Sequence, residues 1–439
     1  MHSLFAFFFS LSASALFLTI GTAVSTAQTP ENVSNLLGAE RSITDLAADA
    51  SLDQMVAFAV QHHPAVAQAK ARVRRMLEMV PQARALPDPK IRFSAGSMAE
   101  TAAGRVDWMT AVEQALPYPG KLRKMAAAAS KEAEAAAMEL ESLRIMIAAQ
   151  VRTAYWDYFL AAMATEITES NRTALGQVRD SVDARVSTNQ ATLNDQLRLA
   201  VEFGKIEKTL IESRQADASA RAQLNSLLNR PARSELPRPV WTLTVNHGEL
   251  EALLAKAEQK HPEVRAATAK LDAFQNRLDK ANLDRFPDFN IAIQHAAVAD
   301  DGLAPMANGR DQAFATFGLS IPLWQEPRRG RIREASAGID ESYARRDATR
   351  ATLRFRVEDA WLKTQAATEL INLFEKQVLP ESRQAFDSSL TAYAAGTLTF
   401  VDVLDTWRQH LGFQLQQVGH QAQLGKAAAA LQSAIGERP

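Results

Sequence analysis

Tyr393-Ala394-Ala395-Gly396-Thr397-Leu398-Thr399-Phe400-Val401-Asp402-Val403-Leu404-Asp405 separates two helical patterns. A long one precedes it, from about Arg328 to Ala394, and a shorter one follows, from about Leu398 to Ile435. Glycine just past a helix end accepts the left-handed C-cap conformation. Thr397 or Thr399 can then cap the next helix. The stretch reads as the tip of a helical hairpin. Asp402 and Asp405 stand three apart just beyond it, so a helix places both carboxylates on one face.

Val186-Ser187-Thr188-Asn189-Gln190-Ala191-Thr192-Leu193-Asn194-Asp195-Gln196-Leu197 has the same layout, with Asn189 where Gly396 stands. Asn is the second choice for the left-handed conformation. Asp195 precedes Asp402 by 207 residues. Further pairs fall at similar offsets. His63-Pro64 answers His261-Pro262, Leu86-Pro87-Asp88 answers Phe286-Pro287-Asp288, and Gly120-Lys121-Leu122-Arg123 answers Gly330-Arg331-Ile332-Arg333. The chain reads as a duplication: a first repeat over 49–235 and a second over 236–439.

Each repeat carries two period-two segments, expected as strands at about 90–97 and 107–116, then at about 288–297 and 313–322. Pro87-Asp88-Pro89 and Pro117-Tyr118-Pro119-Gly120 bound the first pair, and Pro322 closes the second. From Lys121 to Val186 the helical pattern contains no proline, and it spans about 100 Å at 1.5 Å per residue. A rod of that length implies a coiled-coil-like assembly. The final helix carries Val401, Leu404, Trp407, Leu411, Leu415 and Val418 at spacings of three and four, a coiled-coil seam.

Residues 1–27 read as a secretory leader, apolar from Leu4 to Ile20 with small residues before Gln28; 28–48 read as irregular. No later segment is apolar enough for a membrane helix. The 439 residues carry a formal charge of −1 and no cysteine, which gives no reason to expect nucleic acid, disulfides or thiolate metal sites. Strands of about ten residues suit a tilted crossing of a bilayer. Four cannot close a barrel, and an open edge is not viable in lipid. Several chains must therefore pool their strands: two chains give eight, three give twelve.

The pattern resembles the TolC-like outer-membrane efflux factor family over about Leu52 to Ile435. The Gly396–Asp405 stretch, Asn189 to Leu197 and both strand-pair blocks carry the resemblance. It implies a mainly α chain with a small membrane β-barrel, pooled as a homotrimeric α-barrel/β-barrel tunnel. The tunnel would stand in the bacterial outer membrane with a helical extension into the periplasm. It also implies a periplasmic adaptor (membrane fusion) protein and an inner-membrane pump of the resistance-nodulation-division type as partners. The tips Gly396, Thr397, Leu398, Asn189 and Gln190 would dock the adaptor, and Asp402, Asp405 and Asp195 would line the periplasmic mouth. Family members can carry a basic residue two after the tip glycine; here it is Leu398, so closure is expected to rely more on packing. Leu116-Pro117-Tyr118-Pro119-Gly120-Lys121-Leu122 and Ala85-Leu86-Pro87-Asp88-Pro89 look most like the heavy-metal efflux branch. The alternatives are a type I secretion duct and a soluble periplasmic scaffold without a pore.

Other residues have plainer readings. The acids past the tips could simply complement helix dipoles. Lys121, Arg123, Arg331 and Arg333 sit at helix starts just after strands, where phospholipid headgroups are the expected contact and a solvated face the alternative. His62, His63 and His261 mark helix restarts rather than metal ligands, with Pro64 and Pro262 at the first helical position. Met76, Met79, Met125, Met138, Met146 and Met163 are expected to pack. No nucleophile, phosphate-loop or metalloprotease motif occurs, so neither catalysis nor a cofactor is expected.

Overall fold

Ser51 starts the first helix with a capping box. Its hydroxyl accepts from the Gln54 amide at 3.3 Å, and its own amide donates to the Gln54 side chain at 2.8 Å. In chain order follow α1 (Leu52–His62), α2 (Pro64–Arg84), β1 (Lys90–Ala95), β2 (Glu100–Thr101), β3 (Gly104–Leu116), α3 (Lys121–Ser187) and α4 (Leu193–Leu227). Then come α5 (Leu250–Lys260), α6 (Pro262–Leu283), β4 (Asp288–Val298), β5 (Gln312–Ser320), α7 (Gln325–Leu373), α8 (Leu379–Ala394) and α9 (Phe400–Ala434). This computed structural model describes residues 46–47, 49–96, 100–187, 191–243 and 248–438. The expected leader, most of 28–48, and Asn189 and Gln190 lie outside them.

Two departures from the expected elements have identifiable physical causes. The helix expected to run unbroken to Ala394 is interrupted by a five-residue π turn, Phe374–Val378. Pro380 has no N–H to give and its ring crowds the Lys376 carbonyl, so the wider turn relieves both. The loop expected over Ser97–Val106 contributes β2 and the start of β3. The amide of Ala299 donates to the Arg105 carbonyl at 2.8 Å, and Asp301 accepts from the Arg105 amide at 2.8 Å. These contacts hold the hairpin extended from the far side of the sheet.

At 67 residues α3 is about 100 Å long and forms the spine of the helical layer. α1, α2, α4, α6 and α9 pack against it, while α7 packs against α5, α6 and α9. Alanines such as Ala133, Ala137 and Ala148 are fully buried on α3 and allow these close approaches. Around Trp156 the rings of Tyr155, Phe159 and Trp241 meet edge to face at 5.3–5.5 Å. α9 crosses this cluster at Gly425, where a Cβ would stand 2.2 Å from the indole.

The sheet is antiparallel in the order β1-β3-β4-β5. Its register aligns Ile91 with Val112 and Ile293, and Gln114 with Ile291 and Phe317. Opposed residues share a face. One face therefore collects Ile91, Phe93, Trp108, Ile291, Ile293 and Phe317. The other collects Lys90, Arg92, Glu113, Asn290, Gln294 and Thr316, where Asn290 donates to Glu113 at 3.0 Å. The apolar face is bare: Ile91 is 76% and Phe317 78% exposed. β4 with 11 residues spans about 36 Å, or roughly 27 Å when tilted by 40°, the height of a membrane barrel's apolar band. Among the described residues no helix is long and apolar enough to cross a membrane.

Two glycines on α9 provide a test of the packing. Gly425→Ala drives a methyl into Trp156 and should destabilise by about 1–3 kcal/mol. Gly419→Ala meets nothing within 4 Å and should stabilise by up to about 1 kcal/mol through helix propensity. Thermal unfolding followed by circular dichroism should separate the two in opposite directions.

Candidate functional site

The second tip ends α8 with a Schellman motif. Gly396 adopts φ +78°, its amide donates to Tyr393 O at 3.0 Å, and the Thr397 amide donates to Ala392 O at 3.0 Å. Thr399, one of the two expected caps, opens α9. Its hydroxyl accepts from the Asp402 amide at 3.4 Å, and its own amide donates to Asp402 Oδ2 at 3.2 Å. The first tip repeats the device. Thr192 Oγ1 accepts from the Asp195 amide at 3.3 Å, and the Thr192 amide donates to Asp195 Oδ2 at 3.0 Å. Asp195 and Asp402 are thus the third residues of two matching capping boxes, sitting where the helix dipole favours an anion. Each has one oxygen committed to its cap.

Asp405 lies one turn further into α9 and is held differently. It accepts from Arg408 Nη1 at 2.7 Å. The same guanidinium donates through Nε and Nη2 to Glu202 of α4, at 3.1 and 2.5 Å. Glu202 is buried at 3% exposure and also accepts from Lys205 at 2.8 Å. Burial pushes its carboxyl up, but the hydrogen bonds and charges of Arg408 and Lys205 prevail and hold it below the ordinary value.

A second arginine joins α3 to α8. Arg185 donates to the Tyr393 carbonyl at 2.7 Å and its guanidinium lies 4.4 Å from the Tyr393 ring centre. Burial raises the Tyr393 phenol, and the charge of Asp195 adds to the shift against Arg185. Beneath these links Leu175, Val182, Leu199, Phe400, Val403 and Trp407 form the tip core, with Leu398 packed against it. Leu398 thus makes an apolar contact where a basic residue was the alternative. Glu202, Arg408, Arg185 and Tyr393 were not singled out from the sequence. Glu202 carried a signal: it falls on the apolar stripe of α4 between Leu199 and Ile206.

Where the strands meet the helices, the expected headgroup cations divide. Lys121 is 6% exposed, donating to Asp288 at 2.8 Å and to the Phe286 carbonyl at 3.1 Å. Arg331 donates at 3.1 Å to Asp284, which also receives Lys280 at 2.8 Å. This ion-pair node ties α3, α6, β4 and α7 together, so Lys121 faces inward instead of toward headgroups. Arg123 is exposed, and Arg333 is exposed beside Glu326 at 3.6 Å.

His63 and His261 are helix caps. His63 Nδ1 accepts from the Ala65 amide and His261 Nδ1 from the Glu263 amide, each at 3.2 Å. Pro64 and Pro262 take the first helical positions. His62 pairs with the Phe58 carbonyl at 2.9 Å. Among the described residues no group of three or more His, Asp or Glu could hold a metal ion. Of the methionines expected to pack, Met76, Met138 and Met163 do so, whereas Met79, Met125 and Met146 are exposed.

Residues 253–437 match the family of outer membrane efflux proteins. The chain is 23% identical to the cobalt-zinc-cadmium resistance protein CzcC of Cupriavidus metallidurans, over 81% of this chain and 82% of that one. It is 26% identical to protein CyaE of Bordetella pertussis, over 89% and 84% of the two chains. The outer membrane protein VceC of Vibrio cholerae has the same fold, with a TM-score of 0.74 at 21% identity, covering 88% of this chain and 96% of that one.

His261 gives the fold a pH dependence. Its Nδ1 accepts the cap, so Nε2 carries the proton toward Ser433 O at 3.2 Å. Burial lowers its pKa, against the opposing pulls of Glu263 and the Ser433 carbonyl. The folded value lies below the unfolded value of about 6.5. Its contribution is therefore fully present above that value and is lost as pH falls below it. His261→Asn keeps a capping side chain without the titration. Melting temperatures between about pH 7.5 and 5 should fall less steeply for that variant than for the wild type.

Proposed function

We propose that this protein is the exit duct of a tripartite efflux system. Three copies form a tunnel through the bacterial outer membrane with a helical extension in the periplasm, passing substrate from an inner-membrane pump and its adaptor to the outside. The observation that carries this reading is the sheet. It has one bare apolar face, one polar face and two unpaired edges, β1 and β5. In lipid those edges need partners, and three copies supply a closed twelve-stranded barrel with the polar face toward the lumen.

The helical layer supports the same assembly. α7 buries Leu353, Val357, Ala360, Ala367 and Ile371 against its own chain. On the opposite side it exposes Ala348, Ala351, Phe355, Leu362, Ala366 and Leu373 at spacings of three, four and seven. A helix with apolar stripes on both sides belongs inside a wall, with a neighbour on each flank. The next copy is that neighbour.

In this reading the chain is two repeats, 49–235 and 236–439, and works without catalysis. The tips Gly396, Thr397 and Leu398, with Asn189 and Gln190, dock the adaptor, whose pump is of the resistance-nodulation-division type. Asp195, Asp402 and Asp405 line the mouth, where carboxylates from three copies favour cations. The likeness to CzcC supports divalent metal cations as cargo. Arg123 and Arg333 contact lipid headgroups.

Single-channel recording in a planar bilayer tests the duct. Discrete cation-preferring pores are expected, and Asp402→Ala with Asp405→Ala should lower the preference and raise conductance. A preparation that never conducts would sink the reading. Separately, Phe355→Glu with Leu362→Glu should convert the detergent-extracted trimer to monomer in light scattering; an intact trimer would remove α7 from the interface.

A further inference from the structure

The polar face of the sheet runs on into the helical layer. Asp288, two residues before Asn290 on that face, lines an open recess of about 540 Å³ together with Gln82, Lys121, Asp284 and Arg331. Two residues turn a helix by about 200°. Arg84 follows Gln82 by two on α2, Arg123 follows Lys121 by two on α3, and Arg329 and Arg333 stand two to either side of Arg331 on α7. These four arginines therefore point away from the recess, to the side on which the sheet is apolar. Arg285, between α6 and β4, lies over the Phe286 ring at 4.8 Å, and Phe286 stacks on Tyr118 at 4.5 Å. All five arginines are exposed at the height where the helices meet the strands. Among the described residues, Arg333 alone of the five has a carboxylate partner, Glu326 at 3.6 Å, and that pair lies open to solvent and contributes little. Arg123 is the third residue of α3, whose first turn carries no acid, so the helix dipole opposes it. Unpaired guanidinium groups gathered at one height call for an anion from outside the chain. Beside them the chain bares Ile321, Leu323 and Trp324, the last 81% exposed. A bare indole next to an apolar band marks the headgroup layer of a membrane.

We propose that Arg84, Arg123, Arg285, Arg329 and Arg333 form a belt that binds anionic glycerophospholipid in the periplasmic leaflet. The proposal rests on the duct reading above, which puts the helical end of the sheet in the periplasm. A guanidinium takes two oxygens of one phosphate in fork geometry. The methylene stems lie along the apolar boundary while the charged heads reach the phosphates. A zwitterionic headgroup brings its own cation to each phosphate, so a belt with excess positive charge favours lipids that carry none. In three copies the belt runs round the base of the barrel, and the lipid it holds fixes the height of the protein in the membrane.

Melting temperatures of the detergent-extracted trimer separate this belt from a merely solvated basic surface. A ligand that binds only the folded state raises the melting point. Phosphatidylglycerol in the micelle should raise the wild-type value by several degrees more than the same amount of phosphatidylcholine. Arg84→Gln, Arg123→Gln, Arg329→Gln and Arg333→Gln combined should lose most of that margin while keeping the phosphatidylcholine response. Arg214→Gln with Arg383→Gln, exposed arginines on α4 and α8 outside the belt, should keep the margin. Inorganic phosphate should give no rise. Should the fourfold variant fail to fold, Arg123→Gln and Arg329→Gln must each narrow the margin alone. Equal responses to the two lipids in the wild type, an unchanged margin in the belt variants, a margin lost equally in the control pair, or a rise with inorganic phosphate as large as with phosphatidylglycerol would overturn the belt while the duct stands. A trimer that never conducts in a planar bilayer would remove the duct reading itself.

Discussion

A strand edge in hydrocarbon leaves amide and carbonyl groups with nothing to bond, and each such group costs several kcal/mol. Much of the molecule follows from that constraint. The four strands along the sheet path, β1, β3, β4 and β5, are too few to close on themselves, and the described helices do not cover the sheet. The apolar face therefore has no core to join within one chain. A scaffold living in water would bury Ile91, Phe93 and Phe317 or replace them. The helices show the same incompleteness on their own scale, since α7 presents apolar side chains on both flanks and its chain fills only one. Sheet and helical layer are thus open in the same sense, and in the proposed trimer one rotation closes both.

The tips show how one carboxylate serves two purposes. A helix start has four unpaired amides and a positive dipole end, so an acid at the third position is stabilising wherever it occurs. That accounts for Asp195 and Asp402 without any pore. In the proposed duct, where these helices converge at a mouth, the same acids carry charge to the narrowest point. The duplication pairs them, since after each tip the chain restarts its helix with the same Thr-x-x-Asp. The capping role fixes where each carboxylate points, because one oxygen is tied to its own backbone.

Features with local causes were legible in the sequence. Strand alternation, the proline-bounded turns, the glycine C-cap and the His-Pro restarts are each decided by residues within one or two turns. The structure places them within a few residues of the expected bounds. What the sequence hid depends on elements far apart in the chain. Nothing near Lys121 announces that Asp284 and Asp288 will surround it, so a cation after a strand reads as solvent-facing. Arg408 meets Glu202 only because the two tips pack side by side, and β2 forms only because the loop after β4 folds over it. The π turn was nearer to legible: Pro380 stands inside a helical pattern, and the disturbance it causes falls one turn before it.

The distribution of charge bears on what such a duct does. Along the polar face of the sheet Arg92 pairs with Glu113 at 3.5 Å, and Glu113 also receives Asn290. Lower down, Glu139 receives Arg72 and Lys270, at 3.0 and 2.5 Å, and Glu263 lies 3.5 Å from Arg356. Paired charges present weak fields, and in the proposed duct a path lined with such pairs offers no deep well in which a cation would stall. Conduction needs sites that an ion can enter and also leave. In the proposed duct selection is concentrated where helix starts gather acids in one ring, and the remaining length stays nearly neutral. On that reading the duct passes cations, and the choice of cargo falls to the pump that delivers it.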